Sequence, residues 1–586
     1  MTKFHLLLLG LFVSFFGNGQ NTHYYYQVQL IDECGLILTL DQSDQIVAGQ
    51  KLLLIQSTGG DVSRNLDDTF GNFQDDGFLG NNEIVQVDDV QGNQVYLKSP
   101  LVKSYNTDFA VQLVNGVYSE TDVALNTAPV VTPFDGQKGG VMFIYTDGNL
   151  TINTDLSVDG LGYEGATMNT SAMNCSWLLV YSDYGTDENS GVGANKGMGP
   201  VAWEDALKSG RGKWANGGGG GNDHNSGGGG GGGYSAGGKG GARQISSAFN
   251  CSGNYPGEGG EGLGLLMDEG RLVFGGGGGS GHNNNAESSD GGDGGGILFI
   301  HSNRLIANSV NLSANGKNIT TLAGDDGAAG GGGGGNIILD FGSFVGDLNV
   351  AAKGGKGGDG AGSPTSCAGA GAGGGGGAIL LSLSEIPAGV VTDVNGGSQG
   401  IVSTCSMNNP TTEAGEAGAV LLEIDFSNQT QTVNAGLDQT ICSGEVATLT
   451  GVAPLGSYWS PGSLVLDSLD MQTTTVSLDA SVVLNLVTPG NCEVTDSVTI
   501  TVETCTSLNN ASQNFIVVLD SRQLKIEGLN SGDFVEMYDA QGKLVFKSKV
   551  DNSFFLNSFQ EPLSQGAYFL KISGVDNFVA ITLGVL

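Results

Sequence analysis

The stretches GGGILFI (294–300), GGGGGGNIILD (330–340), GGGGGAILLS (373–382) and GAVLLE (418–423) decide the architecture of this chain. Each places a glycine segment directly ahead of an apolar strand. The apolar segments ILFI, IILD, ILLS and VLLE start 40, 42 and 41 residues apart. A fixed period of that size marks a stacked structural repeat, because one two-strand unit cannot bury its apolar face alone. A second strand ending in glycine completes each unit: LSVDGLG (156–162), VNLSANG (310–316), LNVAAKG (348–354) and VVTDVNG (390–396). VMFIYTDGN (141–149) matches the ILFI segment, so the repeat starts before a long Gly/Asn-rich block at 163–293 that interrupts its spacing. In that block WEDALK (203–208) is the only segment with helical character. Segments such as IIL and ILL are apolar at every position, which predicts strands buried on both faces.

Glycine accounts for 102 of the 586 residues, but proline for only 12 and without a Gly-X-Y period, which excludes collagen. Hydrophobic residues still make up 39%, which argues against disorder. The runs 217–221, 227–233, 275–279, 330–335 and 373–377 admit two readings. As linkers they would be flexible coils. As packed elements they would be polyproline II helices, three residues per turn with no internal hydrogen bonds. Ordering seven glycines costs about 7–14 kcal/mol in backbone entropy, which only contacts between neighbouring backbones can offset. Their fixed place ahead of apolar strands predicts packing.

The N-terminus reads as a secretory signal over residues 1–19: Lys3, then LLLLGLFVSFF (6–16), then Gly17 and Gly19, with cleavage expected between Gly19 and Gln20. No later apolar run is long enough to span a bilayer. The net charge of −37 argues against nucleic acid and anionic lipid as partners. The eight cysteines include no CxxC pair, and in a secreted chain they are expected in disulfides. Residues 24–125 read as an N-terminal β domain with strands in QKLLLIQ (50–56), NEIVQVDDV (82–90), NQVYLKS (93–99) and FAVQLV (109–114). The glycine-rich β-repeat region is placed at 126–428.

Chemistry is sparse. The histidines left after the signal are His23, His224, His282 and His301. His224 and His282 sit in NDHN and GHNNN, read as solvated loops and not as metal ligands. GGSQG (396–400) matches a nucleophile elbow, but no histidine follows residue 301 to serve it. Glycoside hydrolysis needs a carboxylate pair such as Asp325-Asp326, and a lyase needs clustered cations. Between 139 and 426 there are only eleven Lys and Arg. Calcium is the one ion the acidic loop 67–83 and GGKGGDGAG (354–362) invite, but neither has the spacing of a known calcium loop. No cofactor and no catalytic residue is expected.

Two later segments resemble known families. AGLDQTICSGE (435–445), YWSPG (458–462) and NCEVTDSVTITV (491–502) are similar to PKD-like, immunoglobulin-like modules of bacterial surface proteins. The resemblance implies a β-sandwich spacer over 429–505. Cys442 and Cys492 flank its core candidate Trp459, and a bridge between them would contribute about 4 kcal/mol on the chain-entropy model. VEMYDAQGKLVFKSKV (535–550), EPLSQGAYFLKI (561–572) and FVAITL (578–583) resemble the type A C-terminal sorting domain of the type IX secretion system. The matching residues are Tyr538, Asp539, Gly542 and Lys543, then Leu563, Gly566, Tyr568 and Ile572. This segment, 511–586, lacks the usual Pro-Asn-Pro entry; Ser512-Gln513-Asn514 stands there. The resemblance implies export across the outer membrane through the type IX machinery and delivery to the cell surface. Residues 24–426 are in turn similar to glycine-rich surface proteins of Bacteroidetes. The expected protein is therefore all-β, secreted, and structural or adhesin-like, with surface polysaccharide or other cells as partners. The alternative is a carbohydrate-active enzyme on a β-solenoid.

Overall fold

The computed structural model describes residues 22–170, 183–187, 193–245, 255–285, 287–363, 366–402, 411–426, 433–452, 457–460, 473–487, 495–503, 516–519, 523–527, 529, 531–551, 554–559, 563, 566–573 and 578–585. The expected signal with Gly19 and Gln20 lies outside them. The chain divides into two compact units: residues 1–438, 448–476 and 483–499, and residues 439–447, 477–482 and 500–586. The described residues are all-β apart from a 3-10 turn at Asp205–Leu207, inside WEDALK, and one short helix at Gly264–Asp268. That helix, in EGLGLLMDEG, was not expected from the sequence.

The chain opens with a closed barrel in the order Tyr24–Ile31, Ile37–Leu40, Gln94–Leu97, Asn82–Gln91, Lys51–Gln56, Val111–Asn115. Alternation sorts its side chains. Leu52, Leu54, Val85, Leu113 and Tyr26 fill the interior. Leu53, Ile55, Ile84, Val114 and Tyr25 point outward and pack on the repeat.

The repeat is a parallel sheet running Val141–Thr146, Ile297–Ser313, Asn336–Ala351, Ala378–Leu381, Ala419–Leu421. Its register pairs Leu298 with Ile337, Ile337 with Ile379, and Ile379 with Val420. The spacing between the first two coils is therefore 39 residues and not 40. Asn336, not Ile337, is the partner of Ile297. One face of each first strand (Met142, Ile144, Leu298, Ile300, Ile337, Leu339) packs on the second strands inside the coil. The other face (Val141, Phe143, Ile297, Phe299, Ile338, Leu380) packs on the barrel and on Leu272–Phe274. Burial on both faces explains the uninterrupted apolar runs.

The glycine runs are not linkers. None of the residues 227–233 has a positive φ, and all seven are buried. Their N–H groups leave in three directions with period three. Those of Gly227 and Gly230 donate to Gly241 and Gly238, those of Gly228 and Gly231 to Ala328 and Gly331, and those of Gly229 and Gly232 to Gly219 and Asn216. Their carbonyls accept along three further directions, from Gly257 and Gly260, from Ala372 and Gly375, and from Gly279 and Gly276. A three-residue turn with no internal hydrogen bond is polyproline II geometry. This helix is ringed by six neighbours, some parallel and some antiparallel, and every backbone group is satisfied. The composition follows from the spacing. A Cβ on Gly227, Gly229, Gly230, Gly231 or Gly232 would stand 2.0 Å from a neighbour's carbonyl oxygen.

The array is spliced onto the sheet. Gly296, Gly335 and Gly377 accept from Asn336, Ala378 and Ala419, so the strand register continues into the glycine helices. The block 163–293, which breaks the repeat in sequence, supplies the centre of the array through residues 216–221, 227–241, 257–263 and 275–281.

Further on, a four-stranded sheet runs Gln439–Cys442, Thr495–Glu503, Val482–Val487, Tyr458–Ser460, and Val446–Thr450 pairs with Thr473–Ser477 in a separate two-stranded sheet. Trp459 is fully buried. At the C-terminal end, Leu544–Lys549, Phe534–Asp539, Gly566–Ser573 and Phe578–Val585 form an antiparallel sheet. Val535, Met537, Tyr568, Leu570 and Ile572 line its core. Among the described residues no helix is long and apolar enough to cross a membrane.

Candidate functional site

In-register parallel strands place like positions in rows across the sheet, about 4.8 Å apart. The fifth residues of three first strands, Tyr145, His301 and Asp340, form a row with Tyr118 of the neighbouring Val117–Ser119 strand, continued by Ser382. His301 Nδ1 lies 2.6 Å from Asp340 Oδ2. The imidazole stacks on Tyr145 at 4.2 Å and 12°. Lys51, reaching over from the barrel, donates to Tyr145 OH at 2.8 Å and to Asp147 Oδ1 at 2.9 Å. Burial alone would lower the Lys51 pKa, but these hydrogen bonds outweigh it and raise it. Burial raises that of Tyr145. The row opens into a cleft lined by Asp340, Ser382, Ser384, Glu423, Asp425 and Phe426, with a volume of about 560 Å3. Among the described residues His301 has no hydrogen bond to a hydroxyl or thiol, so no nucleophile–base pair is assembled there. The row was missed in sequence because its members come from four strands. The signal was present in the alignment of VMFIYT, ILFIH and NIILD.

The second gathering is buried. The loops NDHN, GHNNN and GDDG, separate in sequence, meet at one end of the glycine helices. The rings of His224 and His282 are 5.8 Å apart. His282 is fully buried and His224 half-buried, so the expectation of solvated loop histidines is corrected. Burial lowers both, His224 to about 4 and His282 to about 3. His282 Nδ1 accepts the Asn225 N–H at 3.1 Å, and His224 Nδ1 faces Arg243 Nη1 at 2.5 Å. Each neutral ring thus spends its lone pair on a protein donor and has none for a metal. Among the described residues no group of three or more His, Cys, Asp or Glu is placed to hold a metal ion. Asp326 is buried and accepts from the backbone of Asn284, Asn285 and Glu287, so it caps a loop. Asp223 is pushed up to about 7 by burial. Among the described residues its Oδ1, like Asn225 Oδ1, Asn283 Oδ1 and His282 Nε2, is buried without a hydrogen-bond partner.

The remaining sequence candidates have structural partners. In the acidic loop, Asp67 accepts from Thr69, Asp75 from Gly77 and Asp76 from Phe78, while Arg271 pairs with Asp76. In GGKGGDGAG, Lys356 pairs with Asp359, which also accepts from Ile401. Ser398 of the elbow-like motif lines a groove with Lys317, Lys353 and Lys356. These cations do converge, but each is paired, with Asp293, Asp393 and Asp359 respectively. Lys196 is buried and donates to the carbonyls of Tyr184, Gly210 and Gly212. His23 is buried and accepts the Phe143 N–H at 2.9 Å.

The motif residues of the last domain build a hairpin. Asp539 Oδ1 accepts from Gln541 N and Lys543 N, and Gly542 takes a φ of +80° to close the turn. Asp539 then pairs with Tyr568 and Tyr538 with Phe569 across the strands. Tyr568 is in the core, and Gly566 opens its strand. Cys34, Cys367 and Cys442 are disulfide-bonded. Cys492, the expected partner of Cys442, lies outside the described residues.

No protein-family model matches the chain, and no curated protein matches it. Among solved structures, the IG1+IG2 segment of DIP-gamma is 14% identical, with 25% of this chain and 92% of that one covered and a TM-score of 0.11. Drosophila OTK extracellular domains 3–5 are 10% identical, covering 31% and 67%, with a TM-score of 0.14. The BSP domain of a biofilm associated protein is 12% identical, covering 26% and 29%, with a TM-score of 0.11. Likeness at this level carries no argument for this chain.

Proposed function

We propose that this chain is a secreted, surface-displayed structural or adhesin-like protein of the Bacteroidetes type, without catalysis and exported by the type IX secretion system. One observation carries the structural part: the six-neighbour glycine array, in which buried backbone groups are spent on one another. Such a body is a stiff support, and several of the charged side chains around it, Asp326, Lys317, Lys353 and Lys356 among them, are committed to caps and ion pairs. Export rests on the resemblance of 511–586 to a sorting domain; within that segment Asp539 and Gly542 close a hairpin turn and Tyr568 is buried. The test is deletion of 511–586 in the native host. Accumulation in the periplasm supports the reading, and normal surface delivery of the truncated form overturns it.

The alternative, a carbohydrate-active enzyme on the repeat, is favoured by one feature: the cleft beside His301 and Asp340, which also holds Glu423 and Asp425. Reproducible cleavage of any polysaccharide by the purified chain, abolished by Asp340→Asn, would establish the enzyme and remove the non-catalytic reading.

A further inference from the structure

We propose that a cavity between the barrel and the segment around Pro200 is a binding site for one neutral pyranose ring of a surface glycan. The proposal rests on the adhesin-like reading above and gives it a ligand-binding site. The cavity holds about 200 Å3 and is lined by Thr58, Asp108, Phe109, Gln137, Pro200 and Trp203, among others. That is below the roughly 300–1,000 Å3 of pockets that enclose drug-sized ligands. It suits a single ring and not a stretch of chain.

Its walls have the two chemistries a sugar requires. A pyranose presents a face of C–H groups and a rim of hydroxyls. Phe109 and Trp203, both half-buried, supply aromatic surface for the first. Trp203 is held by stacking on the buried Trp214 at 5.5 Å and 22°, and Trp214 is pinned by its Nε1–H donating to Val201 O at 3.0 Å. For the rim, Asp108 is exposed and its carboxylate makes no hydrogen bond among the described residues. Gln137 accepts from Gln27 through Oε1, and among the described residues its amide N–H groups have no acceptor. Thr58 Oγ1 accepts from Ala110 N at 2.8 Å and keeps its own proton to donate.

The two sides are fixed before any ligand arrives. Gly59 N–H donates to Pro200 O at 2.9 Å, and Ser57 N–H to Ala110 O at 2.7 Å. Binding then pays little for ordering the walls. The Asp108 carboxylate, on a chain of net charge −37, disfavours uronates and sulfated sugars. Neutral hexoses and N-acetylhexosamines remain.

The test titrates the full secreted chain, by ligand-observed NMR, with methyl glycosides of neutral hexoses, of N-acetylhexosamines and of hexuronic acids. At least one neutral glycoside should bind with Kd of roughly 1–10 mM, the range open to a single small ring. Trp203→Ala and Asp108→Ala should each weaken it at least about tenfold, a change equivalent to ~1.4 kcal/mol. Asp108 is exposed, so its variant keeps the test valid if Trp203→Ala fails to fold. Silence across the neutral glycosides, preference for the uronic acids, or binding unchanged in the variants overturns the proposal. Adhesion of the same chain to polysaccharide-coated surfaces is measured in parallel. Adhesion with a silent panel removes this site and leaves the adhesin reading. A responding panel without adhesion does the reverse.

Discussion

Gly231→Ala tests the glycine array directly, because a linker tolerates the substitution and a packed helix does not. A flexible linker is unordered in the folded and the unfolded chain alike, so the substitution restricts both and leaves stability within about 0.5 kcal/mol of the parent. In the array the new Cβ would stand 2.0 Å from Gly276 O and 2.6 Å from Gly276 C, where ordinary contact begins at 3.4 Å. Both obstacles are backbone, so no side chain can turn away. Opening the gap displaces the helix that holds Gly276. That helix is tied by Gly276 N to Gly232 O and Gly333 N to Gly276 O, both 2.8 Å, and Gly231 N is tied to Gly331 O at 2.9 Å. Three buried bonds lost or bent, at roughly 1–3 kcal/mol each, give a loss of about 3–9 kcal/mol. The entropy gain recovers at most about 1 kcal/mol of this. Urea unfolding should therefore show a net loss of at least ~2 kcal/mol. Gly342→Ala is the control: it has one neighbouring atom, Asn303 O at 3.0 Å, and should stay within about 1 kcal/mol of the parent. An unchanged or raised stability for Gly231→Ala would refute close packing of the backbones.

Three further outcomes are expected. Amides of 227–233 should exchange with solvent as slowly as those of the central strand Asn336–Ala351, read by mass spectrometry, whereas a linker would exchange at once. His23 and His282 are lowered by burial to about 4 and about 3, so the stability they contribute is present above pH 6.5 and lost as pH falls towards those values. Asp223, raised to about 7, has the opposite sign: its contribution is full below the unfolded carboxylate pKa and is lost as pH rises through 7. Asp223→Asn should consequently steepen the acid-side fall between about pH 4 and 6.5 by ~1.4 kcal/mol per pH unit in denaturation series, and an unchanged slope would count against a buried, protonated Asp223. Finally, Tyr568→Ala empties a core position of the last domain and should cost that domain about 3–5 kcal/mol, with surface delivery reduced in cells; full delivery by a destabilised domain would detach export from its folding.

The repeat was readable because its period and its apolar runs are local. Leu298, Ile337, Ile379 and Val420 do share one row, and both faces are buried as IIL and ILL required. A one-residue slip in register at Asn336 was not readable, since Asn336 and Ile337 are both acceptable at the start of a strand. The block 163–293 looked like an interruption because its glycines follow no strand. Its membership of the array depends on contacts such as Gly231 with Gly331 and Gly375, which are set by packing between distant segments. For the same reason the histidines of NDHN and GHNNN gave no sign of meeting, and the row through Tyr145, His301 and Asp340 appears only once the strands are in register.

The glycine array has a thermal consequence. A side-chain core exposes apolar surface when it melts, which raises the heat capacity, whereas exposed peptide groups lower it. The array's interior is peptide, so its share of the unfolding heat capacity per residue should be small. The stability of that part of the molecule should therefore rise steadily on cooling, with the slope set by the backbone entropy its glycines gain on unfolding, and cooling should not loosen it in the way that cooling weakens a core of leucines.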